Sequence, residues 1–141
     1  MIRKSELNPL GLNLDLKLQS NFNLHYLVVN EIRAERGEPM FVSDGGGIRS
    51  LVLHLEIYRK INLQRAKNDQ IKVPMGSCHL QACATDFVDP DGELYYFIIS
   101  NWELWDDLDL PIYLEDIRYT PGWAHVQTKP PSSGNKIFIP W

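Results

Sequence analysis

Cysteine is scarce in this chain. Cys78 and Cys83 are the only two in 141 residues, and a bridge across so short a loop would add little. A secreted scaffold stapled by disulfides is therefore excluded, and reduced thiols are the expectation. Long apolar runs are missing as well, since none approaches the roughly 18 residues that a membrane-spanning helix needs. The opening stretch "MIRKSELNPLGLNLDLKLQ" has basic residues but no continuous apolar core and no small-residue cleavage site. It does not read as a signal peptide, so synthesis in a cytoplasm is expected. Nor is there an excess of positive charge: 14 Lys and Arg stand against 18 Asp and Glu, a net charge of -4. That balance argues against a nucleic-acid partner.

What is present is the composition of an ordinary folded domain, 44% apolar and 23% charged, without repeat, linker or biased tract. Residues 1–141 read as one domain, long enough to bury roughly two thirds of the unfolded chain's surface.

Residues 23–36, "NLHYLVVNEIRAER", put Leu24, Leu27, Val28 and Ile32 on one helical stripe that Gly37 and Pro39 end. "PMFVS" (39–43) reads as a short buried strand running into "DGGGIRS", whose three glycines allow backbone conformations closed to other residues. Ser50 can cap a second helix through "LVLHLEIYRKINLQRAKND"; the alternating apolar residues at 51, 53, 55 and 57 also fit a strand, but length and the Tyr58, Ile61 spacing favour helix. "ATDFV" and "ELYYFIIS" around "DPDG" read as a β-hairpin, and "NWELWDDL" places Trp102, Trp105 and Leu108 at helical spacing. "IYLEDIRY", "GWAHVQT" and "NKIFIP" complete the set as strands, with "KPPSSG" a loop. Helices first and strands mostly later predict an α+β fold, an antiparallel sheet with helices packed on one side.

The chemistry concentrates in "GSCHLQACATDF", residues 76–87. His79 in a turn and Asp86 in the following strand are spaced so that a short loop folding back brings both side chains together. A third metal ligand is best sought in Trp123-Ala124-His125. Two histidines and one carboxylate leave the fourth position of a zinc ion open, the pattern of a catalytic rather than a structural site. Zinc lowers the pKa of bound water from about 15.7 towards about 7.

The pattern Ser77-x-His79-x-x-x-x-Ala84-x-Asp86, followed by Trp123-x-His125, resembles the zinc D-Ala-D-Ala carboxypeptidase and L-alanyl-D-glutamate endopeptidase family. These enzymes cut the peptides of bacterial cell walls and share a fold with the hedgehog signalling domain. "GEPMFVSDGGGIRS" is similar to the family's strand and Ser-Gly-Tyr-Arg-Ser segment, and "NFNLHYLV" to the N-terminal segment of compact phage-type members, so the resemblance covers about residues 20–128. It implies a hedgehog-like α+β fold and a zinc ion on His79, Asp86 and His125. It also implies Arg49 on a carboxylate of the wall peptide, and Ser77 on substrate or bracing the loop. The implied protein is a peptidoglycan peptidase of phage type, an endolysin or a virion-associated enzyme beside other virion proteins. It would be made in the producing cell's cytoplasm and act at the wall.

Three positions depart from the family pattern. Ala82 replaces the glycine after His79, Asp44-Gly-Gly-Gly-Ile48 replaces the segment before Arg49, and Gly122 stands where the family has an acid. Peptide hydrolysis needs a group that takes the proton of water and returns it to the leaving amine. Glu115 and Asp116 are both candidates, and spacing does not choose between them. The alternative function is a peptidase-like wall-binding or virion structural module without turnover. His25 and His54 match no motif position and are expected at the surface or the core edge. Cys78 and Cys83 are expected to be small buried hydrophobes.

Overall fold

The computed structural model describes residues 1–140 as an α+β domain. Its helices are α1 (Lys4–Leu7), α2 (Leu16–Arg36), α3 (Leu51–Leu63), α4 (Glu93–Ser100) and α5 (Trp102–Asp107), and its strands β1 (Ala84–Val88), β2 (Tyr113–Glu115), β3 (Trp123–Gln127) and β4 (Ile137–Phe138). The strands form one sheet in the order β1-β3-β2-β4. β1 and β2 each pair antiparallel with β3, whereas β4 pairs parallel with β2. The sheet is thus mixed rather than antiparallel throughout. The connection after β3 carries the chain past β2, so the last strand joins the far edge running the same way as its neighbour.

α2 begins at Leu16 rather than at 23, because the Asp15 carboxylate accepts the Leu18 N–H at 2.8 Å and starts the helix there. Its buried stripe is Phe22, His25, Val28, Val29 and Ile32, while Leu24 and Leu27 are exposed. The inward face is therefore turned from the one the apolar pattern indicated, with a histidine in its middle. His25 contacts Thr85 of β1 at 2.9 Å, which places α2 against the sheet face that carries Thr85 and Phe87. Val28, Val29, Ile32, Phe87, Leu114, Ala124 and Val126 belong to the core on that side.

Two strand expectations give way. "ELYYFIIS" is helical: the Asp89 carboxylate accepts the N–H groups of Leu94 and Tyr95, each at 3.0 Å. Leu94, Tyr95 and Ile98 then bury one helical face. Satisfied N-terminal donors and a core-facing stripe override the β-propensity of Tyr, Phe and Ile. "PMFVS" keeps only an isolated bridge between Val42 and Phe87. Other forecast elements form over shorter spans: "IYLEDIRY" is strand only at Tyr113–Glu115 before a 3-10 turn at Ile117–Tyr119, "NKIFIP" only at Ile137–Phe138, and α3 stops at Leu63. Ser50 caps α3 through the Leu53 N–H, and Trp105 of α5 is buried, its indole N–H donating to the Ile98 carbonyl at 2.9 Å.

Candidate metal centre

Each candidate ligand comes from a different piece of chain. Asp86 and His125 are Cα partners across β1 and β3, so their side chains leave the same face of the sheet, opposite to α2. The third, His79, sits in the turn between residues 77 and 83. The Ser77 hydroxyl accepts the His79 N–H at 3.3 Å at the head of that turn. Ala82 ends it in the left-handed region at φ 58°, with the Cys83 N–H reaching back to the Cys78 carbonyl at 3.0 Å. This is the closure that helices usually complete with glycine. Alanine is tolerated here although the conformation costs on the order of 1 kcal/mol.

The three side chains converge. His79 Nε2 lies 3.3 Å from Asp86 Oδ2, and His125 Nδ1 lies 2.7 Å from Asp86 Oδ1. One donor atom from each of the three lies within 4.8 Å of the others, and all three residues are buried. Among the described residues this is the one group of His, Cys, Asp and Glu that could hold a metal ion. The outer partners suit that role. His79 Nδ1–H donates to the Gly47 carbonyl at 3.0 Å, fixing the tautomer that leaves Nε2 free to ligate. His125 Nε2–H donates to Gln127 Oε1 at 3.0 Å, and the Gln127 amide is itself anchored on the Lys129 carbonyl at 2.7 Å. The residues present thus fit a divalent ion taken by two imidazoles and one carboxylate.

The glycine loop explains how Arg49 reaches the same point. A Cβ on Gly46 would lie 2.4 Å from Ser43 Oγ and 2.6 Å from the Asp86 carbonyl oxygen. Only glycine lets this segment lie against β1, where the Asp86 N–H donates to the Gly46 carbonyl at 2.8 Å. From there the Arg49 guanidinium donates to Asp86 Oδ2 at 3.1 Å and, through Nε, to the Gly45 carbonyl at 2.9 Å. Its partner is therefore the candidate ligand itself.

The electrostatics follow from these contacts. Burial would raise the Asp86 pKa, but the surrounding His79 charge and hydrogen bonds from His125 and His79 hold it well below the usual carboxylate range. Burial would lower His125, yet the Asp86 hydrogen bond and charge carry it up to about 9. His79 is lowered by burial, which outweighs its attraction to Asp86.

This centre opens into a groove of about 1080 Å³ whose walls include Tyr58, Cys78, Trp123, Lys129 and Glu115. Trp123 thus shares the groove with His125, as expected of residues two apart on a strand. Cys83 is buried as expected, whereas Cys78 is only half-buried and faces the groove. His25 and His54 are both fully buried, contrary to the surface or edge position expected of them. His25 is held by Thr85 and Thr128, and His54 donates from Nε2 to the Pro74 carbonyl at 3.0 Å. Gly122 adopts φ 93° at the turn before β3, a conformation that side chains rarely adopt.

Sequence reasoning missed Gln127 and the Gly47 carbonyl as the groups that orient the two imidazoles. Gln127 had a signal, because it follows His125 by two on a strand and so shares its face. The Gly47 carbonyl had none. No protein-family model matches the chain, and no curated protein or solved structure matches it.

Proposed function

We propose that this protein is a zinc-dependent peptidase acting on peptidoglycan stem peptides, of the compact phage type that its motif resembles. The observation that carries the reading is the convergence of His79, Asp86 and His125 from a turn and two strands onto one point at the floor of an open groove. His79 Nε2, His125 Nδ1 and a carboxylate oxygen of Asp86 would hold the ion. Zinc bound there supplies Lewis-acid polarisation of a peptide carbonyl and of water. The chain's own groups do the rest. Gly47 and Gln127 orient the imidazoles, and Ser77 braces the turn beneath His79. Arg49 balances the Asp86 charge, and its remaining guanidinium donors are available to a substrate carboxylate. Delivery to the wall, by lysis of the producing cell or by a virion and its other proteins, belongs to the same proposal.

The test is direct. Purified protein loaded with zinc is expected to bind one equivalent and to release products from a muropeptide mixture, with both properties lost in His79→Ala. A folded, zinc-loaded wild type without turnover on that mixture overturns the reading.

A second reading, a peptidase-like wall-binding or virion module without turnover, rests on two observations. The Arg49–Asp86 ion pair already neutralises the centre, and Gly122 supplies no acid. Zinc-independent binding to sacculi without hydrolysis would favour it.

A further inference from the structure

Resting on the peptidase reading, we propose that Glu115 is the catalytic acid–base residue of this groove, supplied from strand β2 rather than from the turn before the last histidine ligand.

The sheet register makes the first argument. β2 and β3 pair antiparallel with Tyr113 opposite Gln127 and Leu114 opposite Val126, so the next position along sets Glu115 across from His125. His125 is in turn opposite Asp86. Residues directly opposite in antiparallel strands project to the same side. Asp86, His125 and Glu115 therefore form one row across three strands. The alternation agrees: Leu114 and Val126 are fully buried on the other side, in the core, while Glu115 lines the groove.

Availability makes the second. Of the two acids left open by the sequence, Asp116 is committed elsewhere. Its carboxylate takes the Arg118 guanidinium at 2.7 and 2.9 Å and the Arg118 N–H at 3.0 Å. Glu115 carries no hydrogen bond or ion pair of this kind. Of the carboxylates lining the groove, Asp86 is bound by Arg49 and both histidines, which leaves Glu115 and Asp44. Asp44 lies in the glycine loop, outside the row across the sheet. Gly122 offers no side chain, and its φ of 93° disfavours any replacement that would bring one. Burial supports the assignment by raising the Glu115 pKa to about 7, against the pull of His125. A carboxyl poised there can both accept and return a proton at neutral pH.

The proton inventory closes without a co-reactant. As the oxygen of water bonds to the peptide carbonyl carbon, a Glu115 carboxylate oxygen takes the water's proton. When the C–N bond breaks, that proton passes to the amine nitrogen and Glu115 returns to the carboxylate. Water and peptide become acid and amine.

Glu115→Gln keeps the size of the side chain and removes the proton acceptor. With zinc loaded, kcat on the muropeptide mixture is expected to fall by about 10²–10⁴-fold, while KM and zinc content stay unchanged and Asp44→Asn keeps wild-type kcat within about twofold, a margin small against general acid–base effects. If wild type is active and Glu115→Gln retains kcat within about tenfold, short of that range, the assignment is overturned and the peptidase reading stands. If zinc-loaded wild type is inactive, the reading falls and the assignment with it. A readout independent of turnover is the visible spectrum of the cobalt(II)-loaded full chain against pH. Glu115→Gln is expected to shift its midpoint by at least about one unit, the size of one lost charge interaction, and an unshifted curve overturns the assignment whatever the activity shows.

Discussion

His25 and His125 are both buried, and they stand on opposite faces of the same sheet. On the α2 face, His25 meets only the hydroxyls of Thr85 and Thr128, and burial, reinforced by the charges of His79 and His125, pushes its pKa down to about 3. On the groove face, His125 meets the Asp86 carboxylate at 2.7 Å, and its pKa rises to about 9. Desolvation acts on both in the same direction. For His125 the partner decides the outcome, because the close Asp86 carboxylate restores more to the imidazolium than water removal takes away, whereas for His79, at 3.3 Å from the same carboxylate, burial still prevails. One face thereby becomes neutral core and the other a charged centre.

The largest expected effect removes that difference. In Asp86→Ala the His125 pKa should fall below its ordinary value of 6.5 and approach the behaviour of His25, as followed by NMR titration. The metal-free protein should lose on the order of 3–5 kcal/mol at pH 7, because Arg49 is left as a buried charge without its counter-ion and His125 loses both its proton and its hydrogen-bond partner. Urea denaturation measures this. A loss below about 1 kcal/mol, the worth of an ordinary exposed pair, would break the comparison.

Next in size is the response to pH, where the two histidines act in opposite senses. His25 has a folded pKa of about 3, below 6.5, so its face weakens as pH falls from 6.5 towards 3. Asp86 adds to that loss, since its depressed pKa contributes stability above the unfolded value of 3.8 that disappears on acidification. His125 contributes fully below 6.5, and its contribution is lost as pH rises through about 9. Glu115, raised from 4.5 to about 7, weakens the fold as pH rises between those values. With His79 lowered by burial in the same sense as His25, the metal-free protein should therefore be most stable near pH 6.5, falling on either side. Zinc must displace the proton on His125 Nδ1. Its affinity, read by competition with a chromophoric chelator, should rise roughly tenfold per pH unit until about pH 9.

The smallest effect sharpens the picture of how the groove face is held. Ala82→Gly relieves the left-handed residue at φ 58° that closes the turn carrying His79. Thermal or urea unfolding should show a gain of up to about 1 kcal/mol, the strain released less the extra freedom of an unfolded glycine. A loss instead would mean that the buried Ala82 methyl contributes more by packing than its backbone costs.

Much of this arrangement was legible beforehand and some of it was not. β1, α3, α5 and β3 could be read because their signals are local: β-branched and aromatic residues in "ATDFV" and "GWAHVQT", a Ser50 cap, and tryptophans three apart. α4 could not, since "ELYYFIIS" has strand composition and becomes helical through the reach of Asp89 to two N–H groups five and six residues ahead. The parallel edge strand was equally hidden, because strand direction depends on where a loop lands rather than on residue types. The three ligand positions could be named from their motif, but their orienting groups lie on other segments.

By itself, the order of residues determined which side chains are able to bind a divalent ion, where the backbone must be glycine, and that β1 and β3 would be strands. Those are properties of single residues and their near neighbours. Only tertiary structure decided which buried histidine is charged, which way Arg49 turns, and which free carboxylate shares a row with His125. Each of these depends on distances between atoms far apart along the chain, and electrostatic energy in a desolvated interior is set by such distances rather than by residue identity.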